Sequence, residues 1–303
     1  MSHYLSNQLR IGLILVCSVL SAPALMAQAH PEVTLPDTEL RTLQSGILGQ
    51  ELHLFIKLPA AYKDNPDVTY PVLYFTDGNR NFGMIANMLS LLETPGSRNR
   101  DIIAIGIGYK IRDIADWTAW RTRDLTPVNS PGTDKGTGDM LARATGRTYE
   151  VKSGGADRYL ECLLQEVIPL VEANYRVSST QRSLGGYSFG GLFALYTLLK
   201  QPASFVNYFA GSPSIPFGNS GILEIERESD LTIPGWGAHL YMSAGTLEPS
   251  AMKDGITKMA EQLEARQYPG LHIDNYLIEN EDHSSGYPSA LMRFLRVLVR
   301  PVE

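Results

Sequence analysis

A serine with a glycine two residues to either side, Gly186-Tyr187-Ser188-Phe189-Gly190, closes the strand-like run Arg182 to Tyr187. The same serine opens a helix-like run from Gly190 to about Leu199. A strand that enters a helix through so short a turn must fold back sharply. The residues two before and two after the serine then approach so closely that neither has room for a side chain. Such a turn lifts the serine hydroxyl above the carboxyl end of its strand, beside the unbonded N–H groups that begin the helix. In a chain with 27 glycines among 303 residues the pentapeptide alone says little, so its surroundings carry the reading.

Those surroundings alternate between strand and helix. Glu51 to Leu58 alternates as a strand and stops at Pro59, while Val72 to Phe75 and Ile102 to Ile107 are short apolar runs of the buried-strand type. Helical spacing covers Phe82 to Leu92 between them. It returns over Gly155 to Tyr175, where Tyr159, Leu160, Leu163, Leu164, Val167, Ile168 and Val171 recur at three- and four-residue steps. After the serine, strands are expected over Phe205–Ala210, His239–Ser243 and Ile273–Ile278, and helices over about Ala251–Arg266 and Ser289–Leu298. This order predicts an α/β fold, a mostly parallel central sheet with helices on both faces. Functional side chains are then expected at the carboxyl ends of the strands. From Tyr109 to Gly154 no strand is evident, and Asn129 to Gly138 is rich in Gly, Thr, Pro and Asp; this segment is expected to be a loop-rich lid or pocket wall. There is no internal repeat, and residues 30–303 read as one domain.

The first 29 residues have a different character. Arg10 precedes the apolar run Ile11–Leu20, and Ala27-Gln28-Ala29 places small residues where a signal peptidase would cut. The run is too short to span a bilayer, and Cys17 follows Val16 rather than a small residue, so export without a membrane anchor is expected. Loss of Arg10 takes the formal charge from −6 to −7, which disfavours binding to nucleic acid or anionic lipid. Cys162 is then left alone, in an apolar helical pattern, and reads as a buried thiol. The six histidines form no close pair in the sequence, and no metal or cofactor is expected.

A serine hydroxyl needs a base to become a nucleophile, usually a histidine oriented by a carboxylate. His239, His272 and His283 follow Ser188, and the first two begin strands, at the wrong end of a parallel sheet. His283 follows the Ile273–Ile278 strand and is the candidate base. Glu248, on the loop after the His239–Ser243 strand, is the candidate acid; Asp254 is a fallback, and Asp282 a local contact for its neighbour. The N–H of Phe189 and that of Asn79, in Asp77-Gly78-Asn79, are candidate oxyanion donors. Arg121 and Arg123 are candidates for binding an anionic substrate, and Trp117 and Trp120 for lining its pocket.

With these residues in view, the chain from about Leu54 to Leu298 resembles the esterase D and siderophore trilactone esterase group of the α/β-hydrolases. The resemblance rests on Tyr74-Phe75-Thr76-Asp77-Gly78, Gly106-Ile107-Gly108-Tyr109, Arg123-Asp124-Leu125-Thr126-Pro127, Gly154-Gly155-Ala156-Asp157, the Ser188 turn and Ser212-Pro213-Ser214. It implies an α/β-hydrolase fold, Ser188 and His283 in the catalytic roles, and hydrolysis of carboxylic esters without a cofactor. A small-molecule ester is the implied partner, with a ferric siderophore the most specific option. A general or carbohydrate-linked acyl esterase, an acyltransferase, and a non-catalytic binder on the same fold are the alternatives.

Overall fold

Alternate residues of the central strands bury into different layers, and this sets the architecture. In β3 (Tyr70–Phe75) and β4 (Ile103–Tyr109), Val72, Tyr74, Ile103, Ile105 and Ile107 join one core, whereas Leu73, Phe75 and Ala104 join another. A sheet apolar on both sides must be covered on both. The structure, a computed structural model, describes residues 34–93 and 99–300. The signal segment expected over residues 1–29 lies outside them. Leu35–Glu303 forms one compact unit.

Its sheet has eight strands, completed by β1 (Thr38–Ser45), β2 (Gln50–Lys57), β5 (Val177–Tyr187), β6 (Asn207–Gly211), β7 (Ala238–Gly245) and β8 (Leu271–Ile278). Their order is β1-β2-β4-β3-β5-β6-β7-β8. From β4 through β8 neighbouring strands are parallel, while β2 runs antiparallel to β4 and β1 antiparallel to β2. One face is covered by α1 (Gly78–Leu92) and α9 (Gly286–Leu298), which bury Phe82, Ile85, Leu291 and Phe294. The other carries α4 (Ala156–Cys162), α5 (Ile168–Asn174), α6 (Phe189–Lys200) and α8 (Ser250–Arg266). Each fully buried Leu, Ile or Phe in these layers contributes about 1.5–3 kcal/mol.

Two features depart from the sequence reading. The segment expected as a loop-rich lid is largely helical, with α2 (Ile114–Asp124) and α3 (Pro131–Thr145). The Gly- and Thr-rich stretch of α3 has low helix propensity, but Pro131 starts it, and Gly146 at φ 70° ends it in the left-handed region. The helix expected over Gly155–Tyr175 is interrupted by a π-turn at Leu163–Val167, joining α4 to α5. Pro169 lacks the N–H that a regular turn would need there. Glu166 on this turn accepts hydrogen bonds from Ser45 Oγ (2.5 Å) and from the N–H groups of Gly46 (2.8 Å) and Ile47 (3.2 Å), capping the β1–β2 turn. Cys162 beside it is buried, with its thiol 3.4 Å from Ser45 Oγ; burial pushes the thiol up to about 12, so little reactive thiolate forms. A further helix, α7 (Phe217–Glu228), is kinked by left-handed residues at Gly218, Asn219 and Ser220. It leads into segment 229–237, at the amino end of β7, which is anchored by the buried Leu231 and is exposed at Pro234 and Gly235. No helix among the described residues is long and apolar enough to cross a membrane.

Candidate active site

Ser188 stands between β5 and α6 with φ 60° and ψ −117°, a backbone conformation that residues with side chains rarely adopt. The surrounding turn holds it there. Ser188 N–H donates to Gly211 O (2.9 Å), Leu192 N–H donates to Ser188 O (2.9 Å), and a Cβ at Gly186 would overlap the backbone of Gly190. The Ser188 hydroxyl is 3.2 Å from that of Ser214, on the loop after β6. Phe189 is the first residue of α6, so its N–H has no partner within the helix.

The loops after β7 and β8 are joined to each other. Thr246 N–H donates to Ile278 O (2.9 Å), Leu247 N–H to Glu281 O (3.0 Å), and Asn280 N–H to Thr246 Oγ1 (2.9 Å). A Cβ at Gly245 would run into the Glu281 carbonyl, so only glycine lets the two loops approach this closely. In this frame Glu248, 3% exposed, meets His283: Oε2 is 2.8 Å from the ring Nδ1. Gly245 N–H donates to Glu248 Oε1 (2.8 Å), and the buried Ser212 hydroxyl donates to Oε2 (2.5 Å) while lying 3.0 Å from His283 Nδ1. Burial pushes the Glu248 carboxyl up, but the hydrogen bonds from His283, Gly245 and Ser212 outweigh it and hold the carboxyl below its ordinary range. With Nδ1 engaged, Nε2 is the ring nitrogen left for proton transfer. The other carboxylates take different places. Asp254 is exposed on α8, and Asp282 accepts the N–H groups of Ser284 (2.8 Å) and Ser285 (2.9 Å) ahead of α9.

Ser188 and His283 line one open cleft of about 310 Å³, together with Asp77, Arg80, Trp117, Arg121, Tyr187 and Tyr287. Tyr187 stacks on Tyr287 (4.2 Å between centroids) and lies 5.2 Å from the His283 ring, forming an aromatic wall. Arg121 gives both arms of its guanidinium to Asp77 at 2.8 Å, between the rings of Trp117 (4.7 Å) and Phe189 (5.0 Å). Burial pulls this guanidinium down, yet the adjacent Asp77 charge outweighs it and keeps Arg121 firmly protonated.

Two sequence expectations need correction here. Arg123 does not line the cleft; it is paired with the buried Asp124 (2.6 Å) and with Gln50 (3.0 Å). Trp120 is packed edge-on against Tyr109 (5.7 Å), so Trp117 is the tryptophan of the cleft. The Asn79 side chain also lies outside the lining, which leaves the expectation for its backbone N–H as it stood. Its side chain clamps the Tyr109 backbone, accepting from N–H (2.7 Å) and donating to O (2.9 Å), and Asp77 forms that part of the wall. The sequence reading missed Arg80 and Tyr287, and gave no role to Ser212 or Ser214. Arg80 lies one helical turn below Asp77 and Tyr287 four residues beyond His283, spacings that would have placed both beside the site.

A parallel sheet with a serine at its strand-to-helix turn, and a carboxylate–histidine pair on the loops beyond, defines an α/β-hydrolase fold. Comparison with known proteins gives the family. Residues 45–244 match the family described as "Putative esterase", and the chain belongs to it. It is similar to the ferri-bacillibactin esterase BesA of Bacillus subtilis, 27% identical over 280 residues that span 88% of this chain and 91% of that protein. It is also similar to a siderophore enterobactin esterase of Emericella nidulans, 33% identical over 193 residues, 55% of this chain and 60% of that one. Among solved structures, the BES protein from Bacillus cereus superposes with a TM-score of 0.76 at 27% identity, covering 90% of this chain and 98% of that one. The chain is a serine hydrolase acting on carboxylic ester bonds.

Proposed function

We propose that this chain is an exported esterase that opens the ester linkages of a siderophore of the trilactone type, with Ser188, His283 and Glu248 as its catalytic residues. The observation that carries this reading is the Glu248–His283 pair, at 2.8 Å, whose histidine lines one cleft with Ser188. The names borne by relatives of matching length support the substrate class, and the signal-like residues 1–29 support export. Arg80 adds to it: Arg121 is neutralised by Asp77, so Arg80, stacked on Trp117 (5.1 Å), supplies the cleft with a cation in an acidic chain. That combination suits an anionic, aromatic ligand.

In this mechanism Ser188 Oγ swings from Ser214 to His283 Nε2, gives up its proton there, and attacks the ester carbonyl. The oxyanion is held by Phe189 N–H and by a backbone donor of the Asp77–Asn79 turn, each worth about 3 kcal/mol at the transition state. Glu248 holds the ring in the correct tautomer and offsets the charge it acquires. The alcohol leaves with the proton from His283, and water releases the acid from the acyl-enzyme by the same steps. The test is a substrate panel of ferric and iron-free catecholate trilactones, acetylated sugars and a short nitrophenyl ester, with Ser188→Ala as control. The expected result is trilactone turnover above the others, reduced at least about 10³-fold by Ser188→Ala. Undiminished activity in that variant would overturn the residue assignment, and preference for sugar esters the substrate.

A further inference from the structure

At the other end of the sheet, strand pairing builds a second cluster of ligating groups. The histidines stand apart in sequence, but the parallel register of β7 and β8 sets His239 opposite His272, and Tyr241 opposite Asp274. Both imidazoles turn toward one carboxylate. His239 Nε2 is 2.8 Å from Asp274 Oδ2, and His272 Nε2 is 3.9 Å from Asp274 Oδ1. One ligand atom from each of the three residues lies within 4.8 Å of the other two. Tyr241 Oη, 2.6 Å from His239 Nδ1, fixes the orientation of the His239 ring. His239 and the last residue of β7, Gly245, are six residues apart, so about 20 Å of strand separates this cluster from the cleft.

We infer that His239, His272 and Asp274 form a binding site for a divalent transition-metal ion of the zinc type, with Tyr241 orienting the His239 ligand. Two imidazoles and one carboxylate are the donor set such an ion takes, leaving a fourth position for water. Ligand atoms around tetrahedral zinc, at about 2.0–2.1 Å from the metal, stand roughly 3.3 Å from one another. The cluster reaches that spacing through a small rotation of His272, whose side chain is 69% exposed and free to move. Entry of the ion requires no net loss of protons from neutral His239. With the ion on Nε2, the ring carries its proton on Nδ1, which then donates to Tyr241 Oη, 2.6 Å away. A bound ion would cross-link the two strands that lead into the Glu248 and His283 loops.

The test is calorimetric titration of the untagged full chain with zinc chloride, using magnesium chloride as the contrasting ion. Wild type is expected to bind one zinc and no magnesium. His272→Ala and Asp274→Asn should each weaken zinc at least tenfold, and Tyr241→Phe about tenfold. Cobalt in place of zinc should give tetrahedral visible bands that vanish in His272→Ala, a substitution at an exposed position that leaves the fold intact. His283→Ala should bind zinc as wild type does, which separates this site from the cleft. Equal zinc affinity in wild type and His272→Ala, or no zinc binding at all, would overturn the inference.

Discussion

A buried carboxylate that accepts three hydrogen bonds links stability to pH, and Glu248 is such a group. Its carboxyl is held below the ordinary range in the folded chain, while the unfolded chain titrates near about 4.3. The stabilisation is therefore fully present above that value and is lost as pH falls through the lower, folded value. Urea unfolding of wild type and Glu248→Gln should show a gap of about 2 kcal/mol at pH 5–8 that closes below about pH 4. A gap that widened in acid would refute the assignment of a depressed carboxyl. The same substitution should lower kcat by roughly 10²- to 10⁴-fold, because the ring of His283 loses the acceptor that sets its tautomer. The loops that carry Ser188, His283 and Glu248 were legible in the sequence because strand order limits where the turns at the carboxyl end of a parallel sheet fall. Ser212 and Ser214 were quoted only as part of a motif. Their roles depend on the left-handed turn at Ser212 (φ 34°), which no local pattern announces.

At the scale of elements, the loops after β7 and β8 behave as one piece. Gly245→Ala would drive a methyl group into the Glu281 carbonyl and part Glu248 from His283. The expected cost is about 1–3 kcal/mol, with kcat reduced at least tenfold, read from thermal unfolding and ester turnover. Gly136→Ala is the contrasting case. Its Cβ would meet nothing within 4 Å on the exposed α3, so the gain in helix propensity should raise stability by about 0.5–1 kcal/mol. The elements that the sequence revealed are those whose periodicity reports burial, such as β3, β4 and α8. The less legible ones, β1 and α3, bury few side chains and are held by edge pairing or by caps. The π-turn was hidden for another reason: apolar spacing in α4 and α5 continues across it, and Pro169 changes only the hydrogen-bond ladder.

Across the whole molecule, the alternation of strands and helices was enough to foresee a parallel sheet covered on both faces. The antiparallel placement of β2 against β4, and the β1 hairpin beyond, depends on long-range pairing that spacing does not encode. The same holds for His239 and His272, brought together only by the register of β7 and β8. The strand order also divides the chemistry along the chain. Ser188 and its turn precede the 229–237 segment, whereas Glu248 and His283 follow it. A chain cut between Pro234 and Gly235 would yield two fragments, neither holding a complete reactive centre. Co-expressed, they should regain ester turnover as β6 and β7 zip along their parallel ladder, and turnover by either fragment alone would contradict this division. The enzyme would then be its own complementation reporter, with catalysis signalling that two polypeptides have met.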